Sequence, residues 1–311
     1  MGSGASAVTP KQISEKVDQA STEDLTNCLS KLSPELKEKV RGALNGGTAM
    51  KDTCIFAPTN NCGGTWLYLL MNGLNDKVVI KTPNDYGGLK SPEYLKINPQ
   101  GKFPALVSSD CFAIYESAVI FAYLVDTYGD DAKYGVRASN PRLQARCNLL
   151  CRVHDMYVSG ASCTTAPIKA ADGDVYLNHA NLKAVYNPNM TLVQRSAMAQ
   201  DLKKQLDELE RLMDSDGPWA VGSEMTLADF VMYPTWIVVV HISPRTLRWD
   251  PFENRPKVKA WYAKCEEFFG GEESPGKDLV NNIKAMYNEV LSEQLTKIKA
   301  DIDENGEDLT W

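Results

Sequence analysis

The stretch Asn98-Pro-Gln-Gly-Lys-Phe-Pro-Ala-Leu106, followed by Ile114-Tyr-Glu-Ser-Ala-Val-Ile120, decides the fold. It reads as a turn, a strand, a second strand and a helix start, with a proline inside the first strand. Proline lacks an N–H and is confined to strand edges, strand starts, bulges and tight turns. The Phe103-Pro104 bond is expected to be cis, because cis bonds are nearly restricted to steps before proline. The Phe103 backbone N–H and C=O are expected to face outward, where they can pair with an extended peptide. Glu116-Ser117 stands at a strand-to-helix junction, and a helix N-terminus offers free N–H groups and partial positive charge to a carboxylate. Together these features describe a site for a small acidic peptide.

Outward from that stretch, residues 52–128 follow the order β-α-β-α-β-β-α. Strands are predicted at 53–57 and 77–82, helices at 65–74 and from Ser91 onward, and a helix at 117–128. Residues 130–139 read as a linker. Beyond it the period is helical, with helices predicted at 142–159, 191–215, 226–241, 255–269 and 277–300. Residues 160–189 mix Gly, Ala, Thr, Asn and Asp with little periodicity, and a loop of that length is usually functional or disordered. In front, Leu25, Leu29, Leu32, Leu36, Val40 and Leu44 recur at helical spacing, an amphipathic stripe that packs on the main body or meets a partner. No internal repeat is visible.

The pattern resembles the thioredoxin-like half of the glutathione transferases, where N-P-x-G-x-x-P-x-L precedes a strand and then E-S-x-x-I. The matching residues are Asn98, Pro99, Gly101, Pro104, Leu106, Glu116, Ser117 and Ile120. Further on, the segment 219–230 resembles the family's G…T-x-A-D segment, with Thr226 as N-cap and Asp229 three residues later, a capping box. The resemblance covers about residues 52–270. It implies an α+β fold: a thioredoxin-like α/β domain at 52–129, then an all-α helical domain at 140–270. A helical extension at 1–51 and an acidic helix and tail at 271–311 lie outside it.

The resemblance also implies glutathione as co-substrate, no metal, and transfer of the glutathione thiolate to a hydrophobic electrophile, a detoxification chemistry. Lys90 and Lys102 would hold the glycine carboxylate, or else are solvated surface lysines. Phe103, beside Pro104, would supply the backbone pair. Glu116 would take the γ-glutamyl ammonium and Ser117 its carboxylate, the plainer alternative being a helix cap. Tyr157 and the 160–189 loop would wall the electrophile pocket. A homodimer in the cytoplasm is expected by the same resemblance.

The thiol end is less regular. The thiolate is the nucleophile, and related enzymes stabilise it from the end of the first strand or the start of the first helix. Here that region reads Phe56-Ala-Pro-Thr-Asn-Asn-Cys-Gly-Gly-Thr65. Phe56 stands where a catalytic tyrosine would be, and Asn60 and Asn61 where a serine would be. Cys62 fits a cysteine-type site with one inserted residue. Three readings stay open: Asn60 or Asn61 donates to the sulfur; Cys62 forms a mixed disulfide with glutathione; or no side chain activates the sulfur and the protein is a non-catalytic assembly or ligand-binding protein of transferase-like fold.

Composition bounds the alternatives. The chain has 311 residues, 43% hydrophobic, with a net charge of −7. From Glu266 to Trp311 there are 12 acidic against 4 basic residues, so the rest is near neutral and shows no basic stripe for nucleic acid. No run approaches the roughly 18–20 apolar residues of a membrane span. The eight cysteines are irregularly spaced, with no C-x-x-C, as expected of free thiols in a reducing compartment. Three weaker motifs remain. Cys147, Cys151 and His154 share a helical face but lack a fourth zinc ligand. Asp301-Ile-Asp-Glu-Asn-Gly306 matches half an EF-hand loop without the closing glutamate. Met1-Gly-Ser-Gly-Ala-Ser6 fits N-myristoylation at Gly2, which alone would give weak membrane association.

Overall fold

Strand β1 (Asp52–Ile55) is the centre of the first layer, and its alternation explains the packing. Cys54 and Phe56 point to one face and join the main core, while Ile55 points to the other and packs with Tyr94 and Ala105. That is the two-residue period of a strand buried on both sides. In this computed structural model, residues 21–32, 37, 51–135, 137, 138, 140–159, 168, 169, 175, 176 and 182–305 are described. The chain divides into two compact units, residues 1–51 with 109–112 and residues 52–108 with 113–311.

In the first unit, helix α1 (Thr22–Ser30) starts after Ser21. The Ser21 hydroxyl accepts the Asp24 N–H at 3.1 Å and donates to the Asp24 carboxylate at 2.6 Å, satisfying one of the first turn's free donors. Leu36, Val40 and Leu44 of the sequence stripe, and Gly2, lie outside the described residues.

In the second unit, α2 (Asn60–Met71) leads to β2 (Val78–Lys81), α3 (Pro92–Ile97), β3 (Ala105–Val107), β4 (Ala113–Tyr115) and α4 (Ser117–Tyr128). The sheet order is β2-β1-β3-β4. β1 and β2 are parallel, with Thr53 opposite Val79. β3 runs antiparallel to both β1 and β4, with Ala105 opposite Ile55 and Tyr115. α2 begins five residues earlier than its period predicts, so Asn60, Asn61 and Cys62 form its first turn.

Helix α5 (Pro141–Val153) is followed by a π turn, His154–Ser159. A short hairpin β5 (Ile168–Lys169) and β6 (Val175–Tyr176) comes next, then α6 (Lys183–Tyr186), α7 (Leu192–Leu212), α8 (Leu227–Thr246) and α9 (Pro256–Gly270). The single last helix predicted at 277–300 is instead α10 (Lys277–Ala285), a π turn at Met286–Val290, and α11 (Ser292–Asn305). Asp301, Asp303 and Asn305, read as half a calcium loop, are on α11, and Asp303 pairs with Arg248 and Lys299. A continuous helix cannot wrap them around an ion as a loop does.

α8 is the hub of the helical layer and packs most extensively on α2. By length and composition it could cross a membrane, contrary to the sequence expectation, but 72% of its apolar window is buried inside this fold. Its start is the predicted capping box. Asp229 accepts from the Thr226 N–H at 2.7 Å, the Thr226 hydroxyl at 3.2 Å, the Ala220 N–H at 2.9 Å and Trp261 Nε1 at 2.8 Å. Burial pushes the Asp229 carboxyl upward, and these bonds oppose that by favouring the ionised form.

The glycines of Cys62-Gly63-Gly64 follow from this packing. A Cβ on Gly63 would lie 2.8 Å from Pro234 and 2.9 Å from Ile283, and one on Gly64 would lie 2.5 Å from the Phe230 carbonyl oxygen. Pro234 has no N–H to offer that carbonyl. The helices therefore meet backbone to backbone, which offsets the ~1 kcal/mol cost of a helical glycine.

Candidate glutathione site

The loop before β3 is tied from within. Buried Asn98 donates from Nδ2 to the Lys102 carbonyl at 2.8 Å and accepts the Gln100 N–H at 3.1 Å. Tyr94 donates to the same Lys102 carbonyl at 2.6 Å. Gly101 has φ +60, and a Cβ there would lie 2.8 Å from the Leu89 carbonyl oxygen and 2.8 Å from Lys90 Nζ. Only glycine meets both demands, and its bareness lets the Lys90 ammonium close over the loop. The Phe103-Pro104 bond is cis. Ladder pairing with β1 and β4 begins at Ala105, so the Phe103 backbone lies outside it.

On the neighbouring strand, Glu116 has φ 72 and ψ 118, a region costly for a side-chain-bearing residue and common where a ligand is held. Its carbonyl accepts the Val119 and Ile120 N–H groups at 3.0 Å, so the strained residue is also the N-cap of α4. Gln100 Nε2 donates to Glu116 Oε1 at 3.3 Å, joining the two halves of the quoted stretch. Sequence reading passed over Gln100, because an exposed glutamine in a turn carries no pattern of its own. Lys90, Lys102 and Glu116 are exposed, Phe103 and Ser117 half-buried, and Pro104 buried.

Ser117 leads into a cleft of about 40 Å³, shared with Asn60 and Asn61 of α2 and with His154 and Ser159 of the first π turn. A wider cleft of about 250 Å³ adjoins it along α4 and α5, with Ala118, Phe121, Asp155 and Val231 common to both. Tyr157, expected to wall the electrophile pocket, packs half-buried against the core and lines neither of these two clefts. Of the 160–189 loop only residues 168, 169, 175, 176 and 182–189 are described.

Two of the expected catalytic residues are otherwise engaged. Cys62 is fully buried, and burial pushes its thiol up to about 12, partly opposed by a bond with the Ala57 backbone. A neutral, enclosed thiol cannot reach a glutathione sulfur, because the early start of α2 turns Cys62 into the core. Asn60 is held on both sides. Tyr287 donates to its Oδ1 at 2.6 Å, and its Nδ2 donates to Ser159 Oγ at 3.3 Å and Thr235 Oγ1 at 3.4 Å. Asn61 is exposed on the cleft wall. Thr59, the N-cap of α2, has a buried hydroxyl oxygen that faces the Cys62 thiol.

The zinc-like trio resolves into other bonds. His154 Nε2 lies 2.8 Å from Thr235 Oγ1, and its Nδ1 lies 2.9 Å from Asp155 Oδ1. The Cys151 thiol donates to Cys147, and that bond holds the Cys147 thiol below its ordinary range, while Cys151 itself is raised by the same bond and by burial. Among the described residues no group of His, Cys, Asp and Glu is placed to hold a metal ion.

Residues 55–132 match the family model of the glutathione S-transferase N-terminal domain, and residues 193–264 that of the C-terminal domain. Human glutathione S-transferase theta-2 is 31% identical over 186 residues, which are 60% of this chain and 68% of that protein. The chain belongs to the glutathione transferase family. A second relative, the glutathione S-transferase-like protein tpcF of Aspergillus fumigatus, is 26% identical over 174 residues, 56% of this chain and 73% of that one. The solved human glutathione transferase theta-2, in complex with glutathione and an unknown ligand, superposes with a TM-score of 0.58 at 21% identity, covering 79% of this chain and 91% of that one. At that identity the likeness is one of fold: a thioredoxin-like domain followed by a helical one.

The transferase-family matches fall unevenly on the site. The whole Lys90–Ser117 cradle lies inside the first matched segment. Ser159 falls between the two segments and Tyr287 beyond the second. Two of the residues holding Asn60 therefore lie outside both matched segments.

Proposed function

We propose that this protein conjugates glutathione to hydrophobic electrophiles. One observation carries the reading: the Gln100–Glu116 bond joins the Phe103 loop to the start of α4, and Ser117 then opens into a cleft at the start of α2. An extended acidic tripeptide fits that line. Lys90 and Lys102 would take its glycine carboxylate, the Phe103 backbone would pair with its cysteinyl unit, and Glu116 would take its ammonium. Ser117 would hold its other carboxylate at the helix N-terminus. The sulfur would then lie by Asn60 and Asn61.

The reaction forms a sulfur–carbon bond as the electrophile's leaving group departs, with the thiol proton lost to water beforehand. The test is retention on immobilised glutathione together with turnover of a chloronitrobenzene. Binding with steady turnover supports the proposal, and binding without turnover overturns it in favour of a non-catalytic ligand-binding protein. That second reading is favoured by Cys62, whose burial removes one activating group expected from the sequence. A homodimer is proposed as well; exposed Val119 and Leu149, on α4 and α5, support it, and sedimentation velocity tests it.

A further inference from the structure

Asn60 is the junction of a polar chain that ends at the small cleft. Its proton directions follow from the donors available. With Nδ1–H of His154 donating to the Asp155 carboxylate, Nε2 accepts from the Thr235 hydroxyl. The Thr235 oxygen then accepts from Asn60 Nδ2, and Tyr287 donates to Asn60 Oδ1. The amide is thereby oriented: an Asn oxygen cannot donate and a Tyr hydroxyl can. The second hydrogen of Asn60 Nδ2 goes to Ser159 Oγ. The Ser159 oxygen is an acceptor in this chain, so its own hydrogen is free to turn elsewhere. Among the described residues Asn60 is its hydrogen-bond partner, and Ser159 lines the cleft with Asn61 and Ser117.

The cleft's size suits one group. About 40 Å³ exceeds the ~10–15 Å³ needed for a water and is far below the ~300 Å³ at which drug-sized ligand pockets begin. With the γ-glutamyl carboxylate at Ser117, the cysteinyl thiol is the side chain of glutathione that would enter this space. Thr59 does not compete, because its oxygen is buried and is not on the cleft wall.

We propose that the Ser159 hydroxyl is the hydrogen-bond donor to the glutathione sulfur, and that Asn60, held by Tyr287 and Thr235, is its positioning residue. The proposal rests on the transferase reading above. Ser159 keeps its proton throughout: the thiol loses its proton to water, the thiolate accepts the Ser159 O–H, and that bond weakens as the sulfur–carbon bond forms. The donor comes from a π turn in the helical domain, a feature frequent at functional sites.

The experiment uses the full chain and reads three quantities: glutathione affinity, the ultraviolet thiolate absorbance of bound glutathione against pH, and kcat/KM with a chloronitrobenzene. Ser159→Ala is expected to raise the pH at which the bound thiol ionises and to lower kcat/KM by about 10²-fold, as for loss of one preorganised donor, with affinity unchanged. Ser159→Thr is expected to restore the ionisation. Tyr287→Phe, which leaves Ser159 in place, is expected to move the ionisation the same way by a smaller amount, and it serves as the independent variant if Ser159→Ala does not fold. Unchanged thiol ionisation in Ser159→Ala or, should that variant not fold, in Tyr287→Phe overturns the proposal, as does its loss in Thr59→Val. A parent protein that binds no glutathione overturns the transferase reading and this proposal together, whereas a parent that binds and turns over with an indifferent Ser159 overturns only the latter.

Discussion

The two ends of the proposed glutathione site are built in opposite ways. The γ-glutamyl and glycine end is a local construction: Asn98, Tyr94 and Gly101 shape the Phe103 loop, and Gln100 ties it to Glu116 within one domain. The thiol end is assembled from four distant pieces, with Asn60, Ser159, Thr235 and Tyr287 bonded across up to 227 positions of sequence. A local site needs only its own strand and helix. A dispersed one depends on every helix that reaches it.

Four variants break or sharpen this contrast. The largest effect is expected from Gly64→Val, because its Cβ would meet the Phe230 carbonyl at 2.5 Å and backbone cannot yield cheaply. A loss of about 3 kcal/mol should appear in thermal or denaturant unfolding, and near-wild-type stability would show that α2 and α8 are not tightly joined. Next is the double change Glu116→Gln with Ser117→Ala. It removes a charge-assisted pair worth about 1.5–3 kcal/mol per hydrogen bond, so calorimetry should show glutathione affinity falling at least about tenfold. The pH at which residual bound thiol ionises should not move. If it does, the two ends are not separable.

Gln100→Ala comes third. An exposed bond of 3.3 Å is worth about 0.5–1 kcal/mol, so affinity should fall by roughly two- to fivefold with turnover of bound substrate intact. The smallest effect concerns acid. Burial raises Glu266, but bonds from Lys284 and Tyr233 outweigh it and hold the carboxyl below its usual range. A depressed folded-state pKa contributes stability above the ordinary glutamate pKa and loses it as pH falls through the folded value. Lys284 is on α10, one turn before Tyr287, so acid should slacken the thiol end before the cradle. In Lys284→Met that contribution should be lost, so stability at neutral pH falls and the acid arm of the curve becomes shallower, converging on the parent's at low pH; a curve identical to the parent's would show that this anchor does not hold α10.

Most of the cradle was legible because its signals are local. Pro104, Gly101 and the Glu116-Ser117 junction each state a backbone requirement within a few residues. The structure bears those out with a cis bond, a φ of +60 and a helix starting at Ser117. The start of α2 was not legible. Two glycines and two asparagines argue against a helix by propensity, and the helix begins at Asn60 because α8 and α10 pack against those glycines. With that boundary moved, Cys62 goes from an exposed loop to the core. The breaks in the α5 and last-helix patterns were invisible for a similar reason: a π turn inserts one residue without changing composition, and both insertions occur where side chains must reach Asn60.

The sequence by itself determined the sheet-and-helix order, the backbone of the Phe103–Ser117 stretch and the capping box of α8, because each is set by short-range backbone rules. Only the tertiary structure decided which polar groups meet at the small cleft. Hydrogen bonds between Asn60, Ser159, Thr235 and Tyr287 form when helices far apart in sequence are brought within 3.5 Å, and no local pattern encodes such an approach.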